Sequence, residues 1–255
     1  MIIYGVIVNY NGGDQIVRSV ERLLANHVPI IVVDNASTDG SLKIIQNKYG
    51  QNIEIIGNAE NYGFAAAANQ AIEFALKKGT DKIFLVNPDT EITPSLINKL
   101  SNYNDHIVSP LIKFKINGQT KYDHGGKIKW LYGRTYHLET DKAKMIDDKI
   151  DYVSGCAMLI DRAVFHKIGN FDERYFLYFE DVDFCLRAKK AGFKIKVANN
   201  AVINHHLVQG KAKKRKQQLM HLKSNLLFVN KYYPAHRRFI PYLYLGLLYI
   251  KISAR

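Results

Sequence analysis

Ile83-Phe-Leu-Val-Asn-Pro-Asp-Thr-Glu91 decides how the chain is read. Its apolar run stops at Asn87-Pro88-Asp89, and because a proline cannot donate to a sheet ladder, the strand ends there. Asn87 and Asp89 therefore stand where the backbone leaves the sheet, at the carboxyl end of a buried strand. In open α/β sheets ligands bind at that end. An acid delivered on a rigid strand end can hold a divalent cation, and a cation can hold a diphosphate. Asn-Pro-Asp is also ordinary turn chemistry, so the flanking sequence has to decide between a turn and a site.

Upstream, residues 2–8 form a continuous apolar strand that ends in the turn Asn9-Tyr-Asn-Gly-Gly13. A helix over 14–27 follows, with Ile16, Val20, Leu23 and Leu24 on one face. Residues 29–33 are a second strand ending at Asp34-Asn35, and Ser37-Thr-Asp-Gly40 caps a helix carrying Leu42, Ile44 and Ile45. A short strand over 53–56 leads through Asn61-Tyr-Gly-Phe-Ala65 into an Ala-rich helix reaching about residue 78. This β-α-β-α-β-α-β order predicts an α/β fold, a mostly parallel central sheet covered by helices on both faces. The layout is that of a nucleotide-binding protein. No Gly-x-Gly-x-x-Gly follows the first strand and no Gly-Lys-Ser/Thr phosphate loop occurs anywhere, which argues against hydride transfer and P-loop chemistry.

Downstream, residues 107–148 change to strand-like pieces with Gly-bearing turns, among them the hairpin signal Asn117-Gly118. Such an excursion on an α/β sheet predicts a substrate pocket or lid. Residues 152–160 return to a buried strand. Then Tyr175-Phe-Leu-Tyr-Phe179 gives way to Glu180, Asp181 and Asp183 at the start of a helix. Acids in a first turn complement the helix dipole, each worth about 0.3–1 kcal/mol. An acid emerging from aromatic surroundings can also have its basicity raised by desolvation, as a general base needs. Asp34 offers a similar choice: an Asx turn, or an acceptor for N3–H of uracil or thymine. His205 and His206 follow a strand-like segment over 194–203, and a ligand role for them depends on acids nearby.

Charge is unevenly spread. Of the 36 Lys and Arg and 23 Asp and Glu residues, 16 basic and no acidic residues lie after position 183, so the net charge is −3 before it and +16 after it. A polyanionic partner is expected, nucleic acid or an anionic membrane surface. Residues 239–250 are apolar without a charge, too short to cross a hydrocarbon core about 30 Å thick but suited to the interface, with tyrosines at headgroup depth. This favours a membrane surface met through residues 207–255 over nucleic acid, for which no stacking motif is present. Cys156 and Cys185 fit no metal spacing and read as buried thiols of a reducing compartment, and the N-terminus reads as a first strand rather than a leader. The expected domains are 1–206, split into 1–106 for the nucleotide and 107–206 for the acceptor, and a basic helical tail over 207–255.

Several motifs recur in order: Val32-Val-Asp-Asn-Ala-Ser-Thr-Asp-Gly-Ser41, Asn61-Tyr-Gly-Phe-Ala65 with Asn69, Leu85-Val-Asn-Pro-Asp89, Gly155-Cys-Ala-Met-Leu-Ile160, Phe171-Asp-Glu173, Glu180-Asp-Val-Asp183 and His205. On these the chain, over about residues 1–235, resembles a family-2 glycosyltransferase of the rhamnosyltransferase-like branch, whose fold is called GT-A. The resemblance implies inverting transfer from a dTDP- or UDP-sugar, dTDP-rhamnose among them, to a lipid-linked saccharide acceptor in bacterial cell-surface polysaccharide assembly. It implies that Asp34 contacts the base and that Asn9, Asn35, Asn61, Gly63, Phe64, Asn69 and Asn87 complete the nucleotide-sugar site. Asp89 and His205 would hold Mg²⁺ or Mn²⁺ on the diphosphate, Asp181 would be the base, and Glu180 would orient sugar or acceptor. The sequence departs from the family at Asn87, where many relatives carry the first acid of Asp-x-Asp, so donor phosphates and water would complete the cation's shell. The rival readings are a sugar-nucleotide pyrophosphorylase, disfavoured because no basic, Gly-rich loop follows the first strand, and a nucleic-acid binder resting on the tail alone.

Overall fold

The central strands are apolar on both sides because helices cover both faces of the sheet. In the computed structural model, which describes residues 1–143, 149–206 and 211–254, the chain runs β1 (Ile3–Asn9), α1 (Gly13–Ala25), β2 (Ile30–Asp34), α2 (Ser41–Tyr49), β3 (Glu54–Gly57), α3 (Phe64–Lys77) and β4 (Lys82–Val86). Beyond these lie β5 (Thr90–Glu91), α4 (Leu96–Ser101), β6 (Ile107–Ile116), β7 (Gln119–Lys129), β8 (Arg134–Thr140) and β9 (Ala157–Asp161). Then come α5 (Arg162–Ile168), α6 (Glu180–Lys190), β10 (Ile195–His205), α7 (Lys211–Tyr232) and α8 (Phe239–Ser253). The sheet order is β3-β2-β1-β4-β9-β6-β10-β5, with β7 on β6 and β8 on β7. β3, β2, β1 and β4 are parallel, and β9 enters antiparallel between β4 and β6.

The two faces alternate along each strand. Val6, Val8, Ile83 and Leu85 join one core with Ala65, Ala68, Ala71 and Ile72 of α3, while Ile7, Phe84 and Val86 join the other with Ile16, Val20 and Leu23 of α1 and Ile45 of α2. Each of the four residues 83–86 is fully buried, at about 1.5–3 kcal/mol per large apolar side chain. This is why the opening stretch reads as an unbroken apolar run rather than an alternation.

The structure redraws the 107–148 excursion. Where the sequence pattern is irregular, β6, β7 and β8 form a long antiparallel meander, and Asn117 and Gly118 turn its first hairpin with φ of +49° and +79°. The pattern was hidden by a register shift between Asp123 and Gly126 of β7, a bulge that breaks the period of two. Gly126 has no alternative there: a Cβ would lie 2.1 Å from the ring of Tyr152. The first helix also ends at Ala25 rather than residue 27, since His27 adopts φ +54°.

Two contacts position the site. After Pro88 the two-residue β5 lies antiparallel on β10, pairing Thr90 with His205 and Glu91 with Asn204. The second half of α7 docks on α6: Phe228 and Val229 are fully buried, and Lys231 Nζ and Tyr232 Oη reach Asp183 Oδ1 at 2.5 and 2.8 Å.

Candidate active site

The parallel strands end together, and the polar residues at their ends build the floor of a cleft. Asn9 and Asp34 face each other in register on β1 and β2. Asn9 Nδ2 donates to Asp34 Oδ1 at 2.7 Å and to Ser41 Oγ at 3.0 Å, while Ser37 N–H donates to Asp34 Oδ2 at 2.9 Å. Asn35 Nδ2 donates to Asn61 Oδ1 and Gly63 O, both at 3.0 Å, and its Oδ1 accepts from Asn58 Nδ2 and Tyr62 N–H. The loop it holds then meets the aromatic segment, where Phe64 N–H donates to Phe176 O at 2.7 Å. Gly63 adopts φ +88°, and a Cβ would lie 2.5 Å from Phe176 O, so both conformation and space demand glycine.

A cleft of about 470 Å³ opens above this floor, and its walls include Asn35, Asn61, Gly63, Phe64, Asn87, Asp89 and His205. The other three residues expected in the nucleotide site do not line it. Asn9 is fully buried and Asp34 is 1% exposed with both carboxylate oxygens engaged, so they lie beneath the floor and hold the 35–41 turn. Asn69 is 3% exposed on α3 and bonds Phe171 through both its amide groups, with Glu173 as a further acceptor. It ties α3 to the segment before the aromatics. Asp34 and Asn69 are satisfied within the fold, the reading open to any buried Asx side chain, whereas Asn9 Oδ1 is buried without a partner.

At the cleft edge Asp89 Oδ2 lies 3.2 Å from His205 Nε2, while Asp89 Oδ1 is buried without a partner. His206 points elsewhere, with Nε2 3.7 Å from Glu91 Oε2 and 61% of its side chain exposed. Among the described residues no three His, Cys, Asp or Glu side chains are grouped to hold a metal ion. The pair of Asp89 and His205 nevertheless fits one: an orphaned carboxylate oxygen beside an imidazole offers two ligands to a hard or borderline cation whose other positions are filled by phosphate and water.

Asp181 and Glu180 are not among the residues that line this cleft, and Asp181 is tied to the loop of Asp89 through one dipeptide. Gly155 N–H donates to Asp181 Oδ2 at 2.8 Å, and the carbonyl of the next residue, Cys156, accepts the Asn87 N–H at 2.8 Å. One dipeptide before β9 thus carries the base candidate on one side and the cation candidate's loop on the other. The acids are aimed by Tyr178 and Phe179, both in the left-handed region at φ +70° and +68°. That conformation costs a non-glycine residue about 1–3 kcal/mol. Packing of buried Phe179 against Phe228, with ring centroids 5.3 Å apart, holds it.

Burial pushes the Asp181 carboxyl up, countered by the Gly155 and Val182 N–H groups and by His137. Burial pushes Glu180 up further, reinforced by the charge of Asp181, and Glu180 Oε2 has no partner. His137 was not apparent from the sequence. Its Nδ1 lies 2.8 Å from Asp123 Oδ2, and its ring stands edge-on to Tyr152 at 5.3 Å. Burial works to lower the His137 pKa, but the hydrogen bond and charge of Asp123 outweigh it and leave it raised. Nothing in the unpatterned segment around His137 marks it, because its partners come from β7 and from the strand-like stretch at Tyr152.

Solved structures share this architecture. The chain matches the crystal structure of GalNAc-T7 with UDP, GalNAc and Mn²⁺ with a TM-score of 0.69 and 17% identity, covering 94% of this chain and 49% of that one. It matches the mannosyltransferase PcManGT of Pyrobaculum calidifontis, solved with GDP-Man and Mn²⁺, with a TM-score of 0.63 and 13% identity over 99% of this chain and 73% of that one. The fold is GT-A, as the motifs implied. A family model matches residues 5–169, and the chain belongs to glycosyl transferase family 2. It is 27% identical over 204 residues to a hexosyltransferase of low-salt glycan biosynthesis from Haloferax volcanii, spanning 74% of this chain and 62% of that protein. It is 27% identical over 254 residues to the N-acetylglucosaminyl-diphospho-decaprenol L-rhamnosyltransferase of Mycobacterium tuberculosis, spanning 88% of this chain and 82% of that protein. The similarity to the rhamnosyltransferase-like branch is borne out by these relatives.

Proposed function

We propose that the protein transfers a sugar, with inversion, from a dTDP- or UDP-sugar to a hydroxyl of a lipid-linked saccharide. The observation that carries this reading is the Gly155-Cys156 dipeptide, which joins Asp181 to the loop of Asp89 through two 2.8 Å hydrogen bonds. The nucleotide would lie over Asn35, Asn61 and Gly63, with its diphosphate toward Asp89 and His205. A bound Mg²⁺ or Mn²⁺ would supply compensation for the charge of the departing diphosphate. Asp181 takes the proton of the acceptor hydroxyl as that oxygen bonds the anomeric carbon, and the bond from that carbon to the diphosphate breaks on the opposite face. The electron pair leaves with the nucleoside diphosphate, so no protein nucleophile is needed. Glu180, whose Oε2 has no partner within the fold, orients sugar or acceptor.

Titration of the protein with dTDP and UDP, with Mn²⁺ or with EDTA, tests the donor site. Binding should be tighter with Mn²⁺, and Asp89→Asn should remove that advantage, a loss of at least the roughly 10- to 100-fold that even an outer-shell partner is worth to a metal site. Equal affinities of wild type and variant in Mn²⁺ would rule out Asp89 as a ligand.

The division into a catalytic region over 1–206 and an associating region over 207–255 belongs to the same proposal, with the protein on the cytoplasmic face of the cell membrane. No helix among the described residues is long and apolar enough to cross a membrane. α8 instead leaves Phe239 75%, Leu243 55%, Leu247 60% and Ile250 64% exposed, between Arg237 and Lys251. Aromatic and aliphatic side chains beside cations suit an anionic interface. Sedimentation with phosphatidylglycerol vesicles should exceed that with phosphatidylcholine vesicles and fall as salt is raised. Indifference to both lipid and salt would count against it.

A further inference from the structure

Between β7 and β8 the turn Trp130-Leu-Tyr-Gly133 leaves Trp130 45% and Leu131 58% exposed, with Tyr132 exposed beside them and Lys129 and Arg134 flanking the turn. Consecutive exposed apolar residues in a turn are a liability unless they have a task. This turn is not loose. The Trp130 carbonyl accepts from Tyr233 Oη, the Trp130 ring lies 6.1 Å from that of Phe228 and 5.8 Å from that of Tyr233, and the Tyr132 ring lies 5.8 Å from that of Tyr244 on α8. Gly133 adopts φ +66°, and a Cβ there would lie 2.7 Å from Val229 Cγ2 of α7, so only glycine lets the turn sit this close. Turn and helices therefore present one fixed face. In it a cavity of about 720 Å³ opens between Trp130 and Leu131 on one side and Phe239 and Ile240 on the other, with His236 and Arg237 at its wall. No acidic residue lines this cavity, and none occurs in 129–134 or 232–251.

We infer that the β7–β8 turn is part of the membrane-binding face and that Trp130 and Leu131 enter the boundary between headgroups and acyl chains of an anionic bilayer. The inference rests on the proposed membrane association and extends it from residues 207–255 to a segment of the catalytic region. An amphipathic indole is suited to that depth, while Lys129, Arg134 and Arg237 meet lipid phosphates at the rim. Charge decides the occupant. A second copy of the chain docked on the same patch would set these cations against their own counterparts across a two-fold axis, with no acid in either segment to pair them. An anionic surface pairs them all. Contacts from two segments about a hundred residues apart also fix the tilt of the domain on the membrane, which a single tail does not.

Trp130 is the one tryptophan of the chain, so its fluorescence reports on this turn alone. On mixing the full chain with phosphatidylglycerol vesicles its emission should move to shorter wavelength and be quenched by lipids brominated high on the acyl chain. Phosphatidylcholine vesicles should produce neither change. Leu131→Asp alters an exposed side chain and keeps the reporter; it should weaken binding to phosphatidylglycerol about tenfold or more, by removing an apolar contact and adding a repelled charge, while thermal stability and dTDP affinity stay unchanged. Sedimentation with phosphatidylglycerol that leaves Trp130 emission unmoved and is indifferent to Leu131→Asp would overturn the inference and leave the tail reading standing. A chain that ignores vesicles altogether would remove both. Equal spectral changes with phosphatidylcholine would also overturn it, since the cations would then not select the surface. A lipid-free dimer that Leu131→Asp dissociates would assign the patch to a second copy instead.

Discussion

Asp181→Asn is expected to lower transfer by roughly 10²- to 10⁴-fold, the contribution typical of a positioned general base, while dTDP affinity stays within about twofold. The amide keeps the shape of the carboxylate, and its carbonyl oxygen can still accept from Gly155 N–H, as Asp181 Oδ2 does at 2.8 Å. It cannot take a proton. Initial rates at saturating donor, beside dTDP titrations of both proteins, make the comparison. Because burial raises the Asp181 carboxyl above its ordinary range, the wild-type rate should fall on the acid side with a midpoint above the ordinary Asp value near 3.9. The sign follows from the chemistry: the carboxylate is the active form, so activity is present above the raised pKa and lost below it. Full activity in Asp181→Asn would remove the base from the proposal.

The second large effect falls on stability. Asp183 is fully buried and accepts from Arg187 Nε at 2.8 Å, Tyr232 Oη at 2.8 Å and Lys231 Nζ at 2.5 Å. Lys231 also pairs with Asp172 at 2.7 Å. Removing one member of a buried ionic cluster strands the others and costs about 3–5 kcal/mol. Asp183→Asn should therefore lower the unfolding temperature by about 10 °C in a chain of this size. The hydrogen bond from Arg174, opposed by burial and reinforced by Lys231, holds Asp172 well below the usual carboxylate range. A depressed acid stabilises the fold above its unfolded pKa and ceases to as pH falls toward the folded one. The Asp172 contribution should thus fade below about pH 4. A shift under about 2 °C for Asp183→Asn would mean that α7 is not held through this cluster.

The sequence made the nucleotide half legible because its signals are local. Apolar runs buried on both faces, glycines before helices and an acid after a strand-ending proline all act within a few residues. Asn9, Asp34 and Asn69 are harder to read, because a polar residue at a strand end or in a motif looks the same whether it faces a cleft or a neighbouring turn. Only the structure shows their partners within the fold, Ser41 and Ser37 for the first two and Phe171 for the third. The β6–β8 meander shows in the sequence only as strand-like pieces with the Asn117-Gly118 hairpin signal, because the bulge before Gly126 breaks its alternation. His137 was missed because its meaning depends on Asp123 and Tyr152, neither of which its own segment foretells. Asp183 stood in a motif beside the two acids, and nothing short of its contacts separates a structural acid from a chemical one.

The pairing of β5 with β10 brings Asp89 to a histidine that is synthesised more than a hundred residues later. Asn9 and Asp34 can be set side by side as soon as β1 and β2 have paired, whereas the histidine opposite Asp89 comes into place only with the last strand of the sheet, so the polar edge of the cleft is completed by the two ends of the chain together.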